Sequence, residues 1–224
     1  MKKVKIFIAC DTTNQRKIRQ IILETQKSKL NFGYKFGLQF LNSKNGRKFV
    51  ANLKNKITFG DYKLADIPNT CVSTVKAVKD LRLDYITMHI SSGIDAIKAV
   101  KKVSGKTKIV GVTVLTSLNN KSLKEIGYNK DVKKVVLHQV KLAAKAKLDA
   151  IVCSPREIKI VRKIFKKEII TPGIRLSGDK KGDQKRIMTP RQAVQNGATA
   201  LVMGRSLING NIKKNIKRLL KELS

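Results

Sequence analysis

The stretch YITMHISSGIDAIKAVKKVSGKTKIVGVTVL, Tyr85 to Leu115, decides the fold. Residues 85–90 and 109–115 are rich in Ile, Val and Thr, types that suit a pleated strand. Between them, 94–103 reads as an amphipathic helix. Two strands joined through a helix form a βαβ unit, whose strands pair in parallel. Working outward, the alternation recurs on both sides. Strands are predicted at 4–9, 33–37, 57–63, 150–153, 169–171 and 200–203. Helices are predicted at about 16–28, 42–53, 69–81, 130–147, 155–165 and 211–223, with a polar loop after 115. No shift in composition marks a linker, so residues 1–224 read as one domain. Eight strand–helix units are the count of an α/β (β/α)₈ TIM barrel. The rival, an open doubly wound sheet, lacks its dinucleotide fingerprint, because no GxGxxG follows the first strand.

Composition bounds the partners. The chain has 224 residues, with 49 Lys plus Arg against 15 Asp plus Glu, a net charge of +34. Hydrophobic residues make up 42%, enough for a core, so the charge does not signal disorder. It does raise the question of nucleic acid. Lysines number 38 and arginines 11, the reverse of what bidentate phosphate or base recognition favours. The lysines are spread along the whole chain, and aromatics are 5% with no Trp, leaving few stacking platforms. A lysine-coated surface that attracts small anions is the simpler reading, without a specific nucleic-acid role. No apolar run approaches the roughly 20 residues needed to span a bilayer. The apolar run after Met1-Lys2-Lys3 is too short for a secretory signal. Cys10, Cys71 and Cys153 are odd in number and far apart, giving neither a disulfide framework nor a metal knuckle. A cytoplasmic protein is expected.

In such barrels the working residues sit at the C-terminal strand ends and in the loops that follow. Those places yield Asp11, Lys35, Asp61-Tyr62-Lys63, Asp66, His89, Thr116-Ser117, Pro172-Gly173-Ile174-Arg175 and Gly204-Arg205. Asp61 and Lys63 stand two apart on a strand and so share a face, here the barrel mouth. Opposite charges close by hold a lysine protonated and oriented. With Asp11 and Lys35 on neighbouring strands, the cluster reads as catalytic rather than as a salt-bridge network closing the barrel top. Gly204, where the last strand turns into its helix, suggests backbone N–H groups offered to an anion. The glycine-bearing 176–186 loop suggests a lid over a phosphate.

These motifs together resemble the orotidine 5′-phosphate decarboxylase family. The segments that carry the likeness are DYKLADIPNT (61–70), VTVLTS (112–117), TPGIR (171–175), GDQKRIMTP (182–190) and VMGR (202–205), in the family's order. The resemblance implies cofactor-independent decarboxylation of orotidine 5′-phosphate to UMP, with neither metal nor cofactor. It assigns Asp11 and Lys35 to the ribose hydroxyls and the charged network. It places Asp61 and Lys63 beside the reacting carboxylate, with Lys63 the proton donor. It sends Asp66, Ile67 and Thr70 into the neighbouring subunit's site, implying a homodimer with shared sites. It gives Thr116, and Ser117, to the pyrimidine edge. Arg175, Gln184, Gly204 and Arg205 it gives to the phosphate. Ala65 and Gly60 depart from the family's commoner residues, and Gly60 is expected to loosen its strand. His89 is expected behind the reacting groups as a hydrogen-bonding residue, and His138 in packing or at the surface. Sugar-phosphate relatives share the DxKxxD pattern but use a carboxylate near the end of strand 2 to bind Mg²⁺. Lys35 stands there in this chain and would repel a cation. A third reading is an anion- or nucleic-acid-binding protein that keeps the barrel as scaffold.

Overall fold

A computed structural model describes residues 4–179 and 187–224. Eight parallel strands close into a barrel in sequence order. The first units are β1 (Lys5–Ala9), α1 (Gln15–Thr25), β2 (Asn31–Gly37), α2 (Leu38–Leu41) and α3 (Gly46–Ala51). Then come β3 (Ile57–Leu64), α4 (Pro68–Ala77), β4 (Tyr85–His89), α5 (Gly93–Val103) and β5 (Lys108–Val112). The chain continues through α6 (Asn120–Glu125), α7 (Val132–Lys145), β6 (Ala150–Val152), α8 (Ile158–Ile164) and β7 (Glu168–Thr171). It ends with α9 (Pro190–Gln195), β8 (Ala200–Met203), α10 (Arg205–Ile208) and α11 (Ile212–Leu223). The barrel closes where Lys5 to Ile8 of β1 run beside Ala200 to Met203 of β8.

Two apolar layers hold it. Between strands and helices lies the larger core, in which Ile8, Phe36, Met88, Ile109, Ile151 and Leu201 on the strands' outer faces are almost wholly buried. Inside the barrel, alternate residues make a second cluster around Phe7, Phe59 and Tyr85. Phe7 meets Phe59 edge-on at 4.9 Å and Tyr85 at 5.1 Å between ring centroids. Gly33 makes room for this layer, since a Cβ there would sit 2.9 Å from the Phe7 ring. Below it, Lys5 and Lys108 pair with Glu168, and Tyr85 hydrogen-bonds the same carboxylate. Side chains alternate along a strand, so the next inward positions above the aromatic layer are Ala9, Lys35, Asp61 and Thr87. The aromatic layer is the floor on which the polar mouth is built.

The structure redraws several elements. The helix expected over 42–53 is shorter, α3 alone, and a separate single turn, α2, precedes the expected span. Gly46 packs so tightly on Phe40 that a Cβ would lie 1.7 Å from the Phe40 carbonyl oxygen, and the chain turns there. Helix α4 ends at Ala77, and a 3₁₀ turn at Lys79–Leu81 completes the expected span before Arg82 enters the left-handed region at φ 47°. The strand expected through 115 stops at Val112, and the Thr113 hydroxyl donates to the Val152 carbonyl at 2.8 Å. Helices α6 and α9 lie in stretches where no helix was expected, and α10 is a single turn where the last strand was expected to pass into its helix. At Gly60, Leu83 and Tyr62 pack to 2.7 and 2.9 Å from where a Cβ would be, and the register between β3 and β4 shifts directly after it.

Candidate active site

A cavity of about 590 Å³ opens at the C-terminal mouth of the barrel. Four charged groups stand on its β1–β3 side. The Asp61 carboxylate accepts from Lys63 Nζ at 2.8 Å and from Lys35 Nζ at 3.0 Å, both on Oδ2. Its Oδ1 accepts from the Thr87 hydroxyl at 3.0 Å. Lys35 also lies 3.5 Å from Asp11. The result is a chain of alternating charge, Asp11–Lys35–Asp61–Lys63, running across three adjacent strands.

Burial alone would push the Asp61 carboxyl up, but the Lys35 and Lys63 ammonium groups outweigh it and hold the carboxyl below the usual range. Burial likewise works against the Lys35 ammonium, and Asp61 and Asp11 reverse that effect, holding it above the usual lysine range. Both groups are therefore ionised across neutral pH. His89 lies half-buried nearby, held below the ordinary imidazole range by burial and then by the Lys63 ammonium. It is neutral at pH 7 and adds no charge to the network.

Lys63 reaches Asp61 by a route different from simple strand alternation. Gly60 pairs with Ile86 and Leu64 with Met88, so the register between β3 and β4 shifts between them. The slip leaves Asp61 to Lys63 in a bulge, and Lys63 adopts φ 49°, in the left-handed region. For a residue with a Cβ that conformation costs about 1–3 kcal/mol and persists only where surrounding bonds impose it. Here the Lys63 N–H donates to Thr87 Oγ1 at 2.8 Å.

The β7–β8 side of the mouth, which adjoins β1, carries the cations suited to an anion. Arg175 and Arg205 line the cavity together with Gly173 and Gly204. Arg175 is 7% exposed, and one of its nitrogens donates to the Ile174 carbonyl at 3.0 Å. Gly173 takes φ 75°, the turn that brings Arg175 back under the mouth. The helix after Gly204 is a single turn of four residues, too short for the helix dipole expected there. The anion-binding half rests on the two guanidinium groups.

Thr116 lines the cavity, whereas Ser117 is exposed and not among its walls. Asp66, Ile67 and Thr70 lie exposed at the start of α4, outside the cavity, with Ile67 66% exposed. Gln184 lies outside the described residues. Lining residues not singled out from the sequence as site residues include Lys17 on α1, Cys153 and Ser154 after β6, and Asn209 after α10. Lys17 could have been suspected, because α1 opens on Arg16 and Lys17 with no acidic residue in its first turn. Burial pushes both flanking thiols up, Cys10 to about 12 and Cys153 further, so neither is a nucleophile at neutral pH.

Residues 4–218 match the orotidine 5′-phosphate decarboxylase / HUMPS family. The chain belongs to that family. A Prochlorococcus marinus relative named orotidine 5′-phosphate decarboxylase is 41% identical, the match covering 91% of this chain and 88% of the relative. A Wolbachia relative of the same name, from Brugia malayi, is 43% identical over 85% of this chain and 87% of its own. Among solved structures, the orotidine 5′-phosphate decarboxylase from Lactobacillus acidophilus superposes with a TM-score of 0.84 at 27% identity, covering 99% of both chains. The family match thus spans every strand of the barrel and both halves of the cavity.

Proposed function

We propose that the chain converts orotidine 5′-phosphate to UMP and CO₂ without a cofactor. One observation carries the reading: Lys63, Asp61 and Lys35 form an ion-paired cluster in the same cavity that Arg175 and Arg205 line. The substrate is a dianionic phosphate joined through ribose to a pyrimidine carboxylate, and the cavity offers cationic groups on its β2–β3 side and on its β7–β8 side. The two guanidinium groups and Gly204 take the phosphate, with Gln184 assigned there by family likeness. Lys35 and Asp11 take the ribose hydroxyls, and Thr116 takes the pyrimidine edge.

The C6–carboxylate bond breaks with its electron pair left on C6, and CO₂ departs. No group on the substrate delocalises that pair, so fixed charge must stabilise it. The Lys63 ammonium lies on hand, oriented by Asp61, and gives its proton to C6. Lys63 is left neutral and takes a proton back from water. Asp61 stands near the departing carboxylate, and the repulsion between them ends as CO₂ leaves. Contacts at the phosphate supply binding energy that orders the reacting end.

Asp66, Ile67 and Thr70 do not face their own cavity. A homodimer in which they complete the partner's site accounts for an isoleucine left two-thirds exposed beside charged chemistry. The three free, buried thiols fit a reducing cytoplasmic setting. For the metal-dependent sugar-phosphate reaction of related barrels, the residues present do not fit. Lys35 fills the strand-2 position and is already paired with Asp61 and Asp11.

The test is loss of orotidine 5′-phosphate absorbance, with and without EDTA. Turnover indifferent to EDTA is expected, and Lys63→Ala should lower it at least about a thousandfold while leaving a folded protein. Near-normal decarboxylation by that variant would sink the mechanism. Activity lost in EDTA and restored by Mg²⁺ would move the chain to the sugar-phosphate branch. Tight DNA binding at physiological salt without turnover would favour a binding protein.

A further inference from the structure

We infer that Thr87 is a positioning residue for the reacting lysine, an inference that rests on the decarboxylation proposed above. Between the pairs Gly60–Ile86 and Leu64–Met88, β3 advances further than β4, and Thr87 is the β4 residue facing the surplus. Its side chain spans the bulge. Thr87 Oγ1 accepts the Lys63 N–H at 2.8 Å and donates to Asp61 Oδ1 at 3.0 Å. A hydroxyl has one proton to give, so the two bonds fix its orientation: the proton points to Asp61 and a lone pair to Lys63. Thr87 is 1% exposed, so water does not compete for either bond.

Both bonds bear on the ammonium. The first holds the left-handed backbone of Lys63, which sets where its side chain starts. The second holds one oxygen of Asp61, leaving the other for Lys63 Nζ at 2.8 Å and Lys35 Nζ at 3.0 Å. Valine has nearly the same shape and can make neither bond. A residue that merely joined β3 to β4 would have no need of a bond to the Asp61 carboxylate. Geometry at a reacting centre is steep in its effect, with a misplacement of about 1 Å costing on the order of a hundredfold in rate.

The experiment compares Thr87→Val, Thr87→Ser and the unmodified chain in steady-state decarboxylation, in UMP binding by calorimetry and in thermal melting. Thr87→Val should lose roughly 10- to 100-fold in kcat while its Kd for UMP stays within about 2-fold. Thr87→Ser, which keeps the hydroxyl, should recover kcat to within about 3-fold of the unmodified chain. If the valine variant does not accumulate as folded protein, Thr87→Ala carries the same comparison. The assignment is overturned by a valine or alanine variant with unaltered kcat, by failure of serine to restore it, or by parallel loss of kcat and UMP affinity. An unmodified chain that does not consume orotidine 5′-phosphate overturns the reaction itself, and this inference with it.

Discussion

Lys17 shows how a single residue can be placed by cost as well as by contact. It sits in the first turn of α1 beside Arg16, with no carboxylate there to answer the positive end of the helix dipole. The helix is capped instead by Asn14, whose side chain accepts the Lys17 N–H at 3.1 Å. Two cations at a helix N-terminus are locally unfavourable by several tenths of a kcal/mol each. An anion in the cavity that Lys17 lines would offset that. Lys17→Ala is therefore expected to raise KM for orotidine 5′-phosphate about 3- to 10-fold with kcat nearly unchanged, the signature of uniform binding lost. Steady-state kinetics in low-salt buffer read it, and an unchanged KM contradicts it. The charged cluster was legible without coordinates because its residues fall at strand ends and two lie in one short motif. Thr87 and Lys17 were not. The value of Thr87 depends on a register slip between two strands, and that of Lys17 on how α1 is rotated over the mouth.

At the scale of elements, legibility followed the strength of local signals. The eight strands were readable because buried parallel strands carry dense runs of Ile, Val and Phe. Boundaries slipped where a long-range contact ends an element, as with β5, which stops where Thr113 turns its hydroxyl to the Val152 carbonyl. Helix α9 went unseen even though its start signal is present. Thr189 and Gln192 form a reciprocal capping box, with Pro190 between them in the first turn. The helix is only six residues long, too short for an apolar period to show. A helix so short depends on its cap. Thr189→Ala should cost about 1 kcal/mol, a fall of roughly 2–4 °C in Tm for a chain of this size. Thr189→Ser should melt close to the unmodified protein, and differential scanning calorimetry distinguishes the two. An alanine variant with unchanged Tm would mean that the packing of Pro190 and Ala193, with the Arg191 bonds to α11, holds α9 on the barrel without the cap.

The whole molecule must reconcile its charge with its proposed assembly. If each of the 15 acidic residues answered one cation, an excess of +34 would remain on every chain. Ion pairs inside the mouth consume part of the acidic complement: Asp61 serves both Lys35 and Lys63. Two such chains repel, while the exposed Ile67 and Leu38, at the β3–α4 and β2–α2 corners, offer apolar surface for burial. The two forces respond differently to salt. Repulsion between exposed charges reaches about 30 Å at 0.01 M ionic strength and about 8 Å at 0.15 M, whereas apolar burial changes little over that range. The dimer should therefore tighten as salt rises from 0.01 to 0.15 M, measured by sedimentation equilibrium. Capture of the anionic substrate should weaken over the same range, because salt screens the field that draws it in. Above the dimer Kd, kcat/KM then falls steadily with salt. At protein concentrations below it, kcat/KM first rises as sites shared between subunits assemble, and falls afterwards. Association that weakens with salt would instead mean an interface held by ion pairs, with Asp66 and its neighbours answering cations of the partner.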